Sequence, residues 1–195
     1  MLFRSLLHIP YVGPSLLSAA VTMDKDMTKR LALGAHVPVV PWRTLASDAP
    51  RPTFTEIADE LGTPVFIKPS RAGSSVGVNK VHSAEAFTTA LDEAFRHDDT
   101  VLVEQAITAR EIELAVLGHG TSARVSVPGE ILPGEEFYSY DDKYSTDSTS
   151  RVVIPADVDE SVTTELQRLA LAAYHATSGH GDRKSTRLNS SHIIE

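Results

Sequence analysis

The sequence predicts an α+β fold built from two small mixed or antiparallel sheets with flanking helices. Three observations carry this. Short apolar runs of strand length, Val65-Phe66-Ile67, Val101-Leu102-Val103 and Ile112 to Leu117, locally outnumber the helical stretches. Strands and helices alternate irregularly, unlike the repeating beat of a doubly wound sheet. Proline and glycine mark the changes of pattern.

Each element has a local reason. Ser15 to Gly34 reads as helix in two pieces, with Asp24 near the second start and Gly34 as its stop. Val37 to Trp42 is extended, because Pro38 and Pro41 restrict the residues before them. Thr53 to Leu61 is a short amphipathic helix closed by Gly62. Val65-Phe66-Ile67 is a buried strand, Pro69 to Gly77 a loop, and Val76 to Val81 a second strand. Ser83 caps a helix running to about Phe95, with Ala84, Phe87, Leu91, Ala94 and Phe95 near one face. Strands follow at Val101–Val103 and Ile112–Leu117, and Ser126 to Leu132 is extended. Gly134 to Ser150 is polar, dotted with aromatics and poor in strand signal, the composition of a functional loop. Ser161 to about Ala176 is the last helix, and no internal repeat is present.

With 42% hydrophobic and 23% charged residues, the chain can bury a real core in one large domain or two small ones. Its apolar stretches are too short and broken to span a membrane, and Met1 to Leu7 is too short and irregular for a secretory h-region. The absence of cysteine excludes a disulfide framework and thiolate metal sites and is compatible with a cytoplasmic location. A net charge of −8 argues against nucleic acid as partner, while leaving room for a nucleotide held by a few local cations.

At Asp182 the chain changes character. The string from Asp182 to His192 has no apolar periodicity and matches one reading frame of a common sequencing-adapter oligonucleotide. Residues 182–195 are therefore set aside as a non-native tail rather than read as a basic native terminus. Setting them aside removes three basic and two acidic side chains, which leaves the net charge at −9.

The richest stretch for chemistry is Phe66-Ile67-Lys68-Pro69-Ser70-Arg71-Ala72-Gly73-Ser74-Ser75-Val76-Gly77-Val78. A lysine ends a buried strand and a loop of small residues follows. Gly73 and Gly77 let backbone amides approach a ligand, and successive amides in such a turn form an anion-binding concavity. Lys68 and Arg71 supply cations. No Gly-Lys-Ser/Thr closes the loop and no helix follows, so it is not a P-loop. Composition alone fits a phosphate loop and an ordinary hairpin loop equally. Glu104 and Glu111 fall at strand edges, where carboxylates can accept from an amine or from ribose hydroxyls. Read alone, each is a solvated surface acid, and Lys25, in the first turn of its helix, a surface lysine.

Taken in order, these motifs resemble the D-alanine–D-alanine ligases of the ATP-grasp superfamily. Ile9-Pro10-Tyr11-Val12-Gly13 and Met23-Asp24-Lys25 resemble that family's approach to its central domain. Lys68 to Gly77 resembles its glycine-serine loop, Val103-Glu104-Gln105 its adenine-side strand, and Val127-Pro128-Gly129-Glu130 the strand after it. Phe137 to Tyr144 resembles its mobile omega loop. The likeness runs from about Leu6 to Gly181.

The resemblance implies an incomplete ATP-grasp fold. Residues 1–21 would be a remnant of the N-terminal domain and 22–117 the central nucleotide-binding subdomain. Residues 118–181 would begin the C-terminal subdomain, with the omega loop at 134–150. It implies ATP as nucleotide, with Lys25 and Lys68 converging on its phosphates beside the donors of Ser70 to Gly77. Lysine suits phosphate as a compact point charge. It places Glu104 and the backbone of Gln105, Ala106 and Ile107 on adenine, Glu111 on ribose, and Ser75 with nearby amides on the terminal phosphate. Ser74 and Tyr144 would orient the first D-alanine, and Lys143 would steady the transferred phosphoryl group. The implied reaction joins two D-alanines through an acylphosphate, for peptidoglycan precursors in the cytoplasm. A tyrosine at 144, where D-alanine–D-lactate ligases often carry histidine, favours an amine as second substrate.

The family's N-terminal domain, its catalytic arginine and its Mg²⁺ carboxylates have no counterpart between Met1 and Gly181, so the expectation is a fragment without metal ligands and without activity. A homodimer at full length stays open. The competing readings are another ATP-grasp carboxylate–amine ligase, a non-catalytic nucleotide-binding module, and a structural α+β domain without ligand.

Overall fold

The computed structural model describes residues 3, 6, 7, 9, 11, 13–134 and 149–182. In chain order the elements are α1 (Leu16–Met23), α2 (Lys25–Gly34), β1 (Trp42–Ala46), α3 (Phe54–Leu61), β2 (Val65–Pro69), β3 (Asn79–Val81), α4 (Ala84–Phe95), β4 (Thr100–Gln105), β5 (Glu111–Glu113), β6 (Val116–His119), β7 (Arg124–Val125), β8 (Gly129–Leu132), β9 (Arg151–Val153), α5 (Glu160–Ala176) and β10 (His180–Asp182).

Most helix starts are made by caps visible in the sequence. Ser15 and Ser83 accept from the amides of Ser18 and Ala86, at 3.2 and 3.3 Å. Asp24 ends α1 and opens α2: its N–H donates to Val21 O and its carboxylate accepts from Met27 N. Thr53 and Glu56 form a reciprocal capping box, each side chain accepting the other's backbone amide, at 2.6 and 3.2 Å. Gly62 stops α3 at φ +77, a conformation L side chains resist.

The chain divides into two compact units: Met1–Val39 with Ala109–Leu132 and Arg151–Glu195, and Val40–Thr108 with Pro133–Ser150. The second holds a four-stranded sheet in the order β1-β4-β2-β3, its neighbours all antiparallel. Its core joins Ile57 and Leu61 of α3 and Phe87, Ala90, Leu91 and Ala94 of α4 to Val65, Ile67, Val101 and Val103 of the sheet. The Phe54 and Phe87 rings meet at a tilt, with centroids 5.7 Å apart. Burying these side chains drives the unit together at about 25 cal/mol per Å² of apolar surface.

The first unit carries two three-stranded sheets, β10-β6-β7 and β5-β8-β9. Ile112, Leu114 and Val116 pack with Leu169, Ala170, Ala173 and Tyr174 of α5 and with Ala32 of α2. Tyr174 is 2% exposed and its hydroxyl donates to Gly118 O at 2.9 Å.

Several elements differ from expectation. Val76 and Gly77 are turn, and the strand begins only at Asn79. Ile112 to Leu117 divides at Leu114-Ala115 into β5 and β6, which join different sheets. Trp42–Ala46 is a strand because β4 pairs with it along its length, although no alternation announces it.

Candidate functional site

In the Val40–Thr108 unit the alternation of β2 puts Val65, Ile67 and Pro69 in the buried interior and Phe66 and Lys68 on the opposite face. On β4, Val101 and Val103 join the helix-side core, so Leu102 and Glu104 share the face of Lys68. The register sets Phe66 opposite Glu104 and Lys68 opposite Leu102, which makes Lys68 and Glu104 diagonal neighbours. Lys68 Nζ donates to Glu104 Oε2 at 2.6 Å. The lysine also sits 5.2 Å from the centroid of Phe66, and Lys80 on β3 approaches the same ring at 5.9 Å. Trp42 pairs with Glu104 from the β1 side.

The glycine-serine loop leaves this sheet after Lys68 and Pro69. It is held by turns from Val76 N to Gly73 O and from Val78 N to Ser75 O, at 3.0 and 3.2 Å. Ser74, Ser75 and Gly77 all adopt left-handed backbone, at φ 53, 60 and 67. Two adjacent non-glycine residues there carry strain, and such strain concentrates at ligand-binding segments. Gly77 could not carry a Cβ, which would lie 2.7 Å from His97 Cδ2 and 2.9 Å from Pro69 Cγ.

Arg71, expected beside Lys68 as a cation of the loop, is ion-paired with Asp98. The Asp98 carboxylate accepts the Arg71 amide at 2.6 Å, Arg71 Nε at 3.1 Å and Arg71 Nη2, and also the Thr100 amide at 3.0 Å. Burial pushes the Asp98 carboxyl up, but the hydrogen bonds from Arg71 and Thr100, with the guanidinium charge, outweigh it and hold the group below the usual carboxylate range. The sequence reading missed Asp98. Its one signal was position, in the His97-Asp98-Asp99 turn ahead of a buried strand.

At the end of β4 the Gln105 amide donates to Pro41 O and the Ala106 amide to Pro64 O, at 3.0 and 3.1 Å. Of the backbone expected to face adenine, the amides of Gln105 and Ala106 thus already serve the fold.

Two expected residues lie in the other unit. Lys25 is the first residue of α2, half-buried between Asp24 and Asp26. A cation is the unfavourable sign for a helix N-terminus, so helix stability does not call for lysine there. Glu111 opens β5 opposite Ile131. Arg110 just before it forks onto Glu130 at 2.8 and 2.7 Å and donates to Asp157 O at 2.9 Å. The hydrogen bond from Arg110 holds Glu130 below its ordinary range against the opposing effect of burial. Lys143 and Tyr144 lie outside the described residues. Among the described residues no group of three or more His, Asp or Glu side chains could hold a metal ion, and no helix is long and apolar enough to cross a membrane.

Comparison with known proteins follows the same line. Residues 31–186 match the sequence model of a family described as D-ala D-ala ligase C-terminus. A D-alanine–D-alanine ligase of Shouchella clausii is 46% identical over 181 residues, covering 92% of this chain and 49% of that protein. One from Sodalis glossinidius is 51% identical over 172 residues, covering 87% of this chain and 46% of that protein. Among solved structures, the VanG D-Ala:D-Ser ligase of Enterococcus faecalis superposes with a TM-score of 0.76 at 35% identity, over 89% of this chain and 50% of that one. The chain spans about half the length of the curated relatives it matches. With that match across most of its residues, this chain belongs to the D-alanine–D-alanine ligase family.

Proposed function

We propose that the protein to which this chain belongs joins two D-alanines at the expense of ATP, supplying dipeptide for peptidoglycan precursors in the cytoplasm. The observation that carries the proposal is Lys68 beside Glu104, on the sheet face from which the strained loop Ser70–Val78 departs. A fixed ammonium next to loop amides suits phosphate, and a carboxylate two residues further along the register suits the amine edge of adenine.

In this reading Lys68 and Lys25 neutralise phosphate oxygens, and Ser75 with neighbouring amides holds the terminal phosphate. Glu104, Ile107 N–H and the carbonyls of Gln105 to Ile107 read adenine, and Glu111 holds the ribose. Ser74 and Tyr144 orient the first D-alanine, and Lys143 steadies the phosphoryl group in flight. The carboxylate of the first D-alanine attacks the γ-phosphorus; the bond to the β-bridging oxygen breaks and ADP leaves. The amine of the second D-alanine then attacks the acyl carbon, the carbon–oxygen bond to phosphate breaks, and the amine loses a proton. Negative charge builds in both steps, so fixed cations and donors carry much of the acceleration. The family implies Mg²⁺ in general, but among the described residues no group of His, Asp or Glu side chains is placed to hold it.

The test is the full-length protein that carries this segment. ATP and D-alanine should yield ADP, phosphate and dipeptide, and Lys68→Ala should lower kcat/KM for ATP by about 100-fold or more. Dipeptide synthesis unchanged in Lys68→Ala, or absent from the parent protein, would overturn the reading. Offering D-lactate and D-serine in place of the second D-alanine checks the acceptor that Tyr144 favours.

A further inference from the structure

The glycine-serine loop rests at both ends on two consecutive residues that the proposed reaction does not use. At its start, Asp98 gathers the Arg71 amide and guanidinium, and binds the Thr100 amide as well. The Ser70 amide, one residue earlier, donates to Thr100 O at 2.9 Å, so the same point is tied from both directions. At its end, Gly77 lies so close to the His97 ring that a Cβ would approach Cδ2 within 2.7 Å. His97 and Asp98 form the turn between α4 and β4, whose neighbouring residues Ala94 and Val101 are wholly buried. The turn is tied down by the hydrogen bonds of the buried Asp98, while the loop carries strained backbone at Ser74 and Ser75.

Resting on the phosphate-binding reading above, we propose that Asp98, with His97, is a positioning residue that sets the shape of the phosphate loop through Arg71 and Gly77. Asp98 has a second consequence. Its negative charge lies at the root of a loop meant for an anion, and Arg71 neutralises it. Removing Arg71 alone exposes phosphate to an uncompensated carboxylate, whereas removing both charges does not. A role confined to stability would give the same order in unfolding, but would not separate ATP from adenosine in affinity.

The experiment uses the full-length protein and a fluorescent ATP analogue displaced by ATP or by adenosine. Asp98→Asn should weaken ATP by about tenfold or more, since small misplacements of binding groups are costly. Adenosine, which leaves the phosphate loop untouched, should change by less than about twofold on the same ground. Arg71→Ala should weaken ATP more than the double variant Arg71→Ala with Asp98→Asn does. Parallel loss of ATP and adenosine, or no loss of either, overturns the positioning role while leaving the nucleotide site standing. Should Asp98→Asn not fold, Arg71→Lys makes the same comparison, keeping the charge but losing the fork. A parent protein that binds adenosine but not ATP overturns the phosphate reading itself, and this inference with it.

Discussion

Lys68 on β2 and Glu104 on β4 form an ion pair of 2.6 Å in which the lysine side chain is 14% exposed and the glutamate 2%. Between strands that pair antiparallel, two residues off the direct register, the two charges meet because neither faces the helix-side core. Both are also proposed nucleotide ligands.

Removing one partner strands the other in a dry place. Lys68→Ala is expected to destabilise the full-length protein by about 3 kcal/mol, the scale for breaking a buried pair. Replacing both, Lys68→Met with Glu104→Leu, should recover most of that loss while abolishing ATP binding. Urea unfolding and nucleotide titration on the same samples check the two halves of the prediction.

Acid should weaken the fold through Asp98 and Glu130. Both have folded pKa values below their unfolded ones, so each contributes stability that is present above the ordinary carboxylate range, near pH 4, and is lost as pH falls through the folded value. Unfolding free energy should fall with pH below about 4.5. Asp98→Asn should flatten part of that limb without changing the slope above pH 6. Arg110→Gln should flatten another part and cost about 1 kcal/mol at neutral pH, modest because Arg110 is half exposed. Chemical denaturation across pH 3 to 8 measures both.

Gly77→Ala should be costly twice over. Its φ of +67 disfavours any L side chain, and the new methyl would meet the His97 ring and Pro69. A loss of about 1–3 kcal/mol is expected, with ATP affinity falling alongside. Gly77→Ala combined with His97→Ala should recover the share of the steric cost due to His97, but neither the Pro69 share nor the backbone part. Thermal unfolding of the three proteins separates the two.

Gly179 is a packing requirement of the other unit. A Cβ there would lie 2.3 Å from Tyr174 Cε2, deep inside van der Waals contact. Gly179→Ala should therefore destabilise by about 1–3 kcal/mol. Tyr174→Phe, which loses only the hydrogen bond to Gly118 O, should cost about 1 kcal/mol. The order of the two midpoints in urea is the check.

What the sequence determined by itself is local. The cap at Ser83, the helix start near Asp24 and the stop at Gly62 could be read directly, because each is a contact between residues three or four apart. Val65–Ile67 and Val101–Val103 announced themselves as strands because burial on both faces demands apolar side chains. The glycine-serine loop was legible for a similar reason, since left-handed backbone and close approach select small residues. What only the tertiary structure decided depends on partners far along the chain. Trp42–Ala46 is a strand because β4 lies beside it, and Glu111 to His119 splits in two because different sheets claim its halves. Arg71 reads as a loop cation, but its partner Asp98 lies 27 residues away and no local pattern announces it. Charged side chains report their own chemistry in a sequence, but the partner that fixes their role is chosen by register and by which face of a sheet they share.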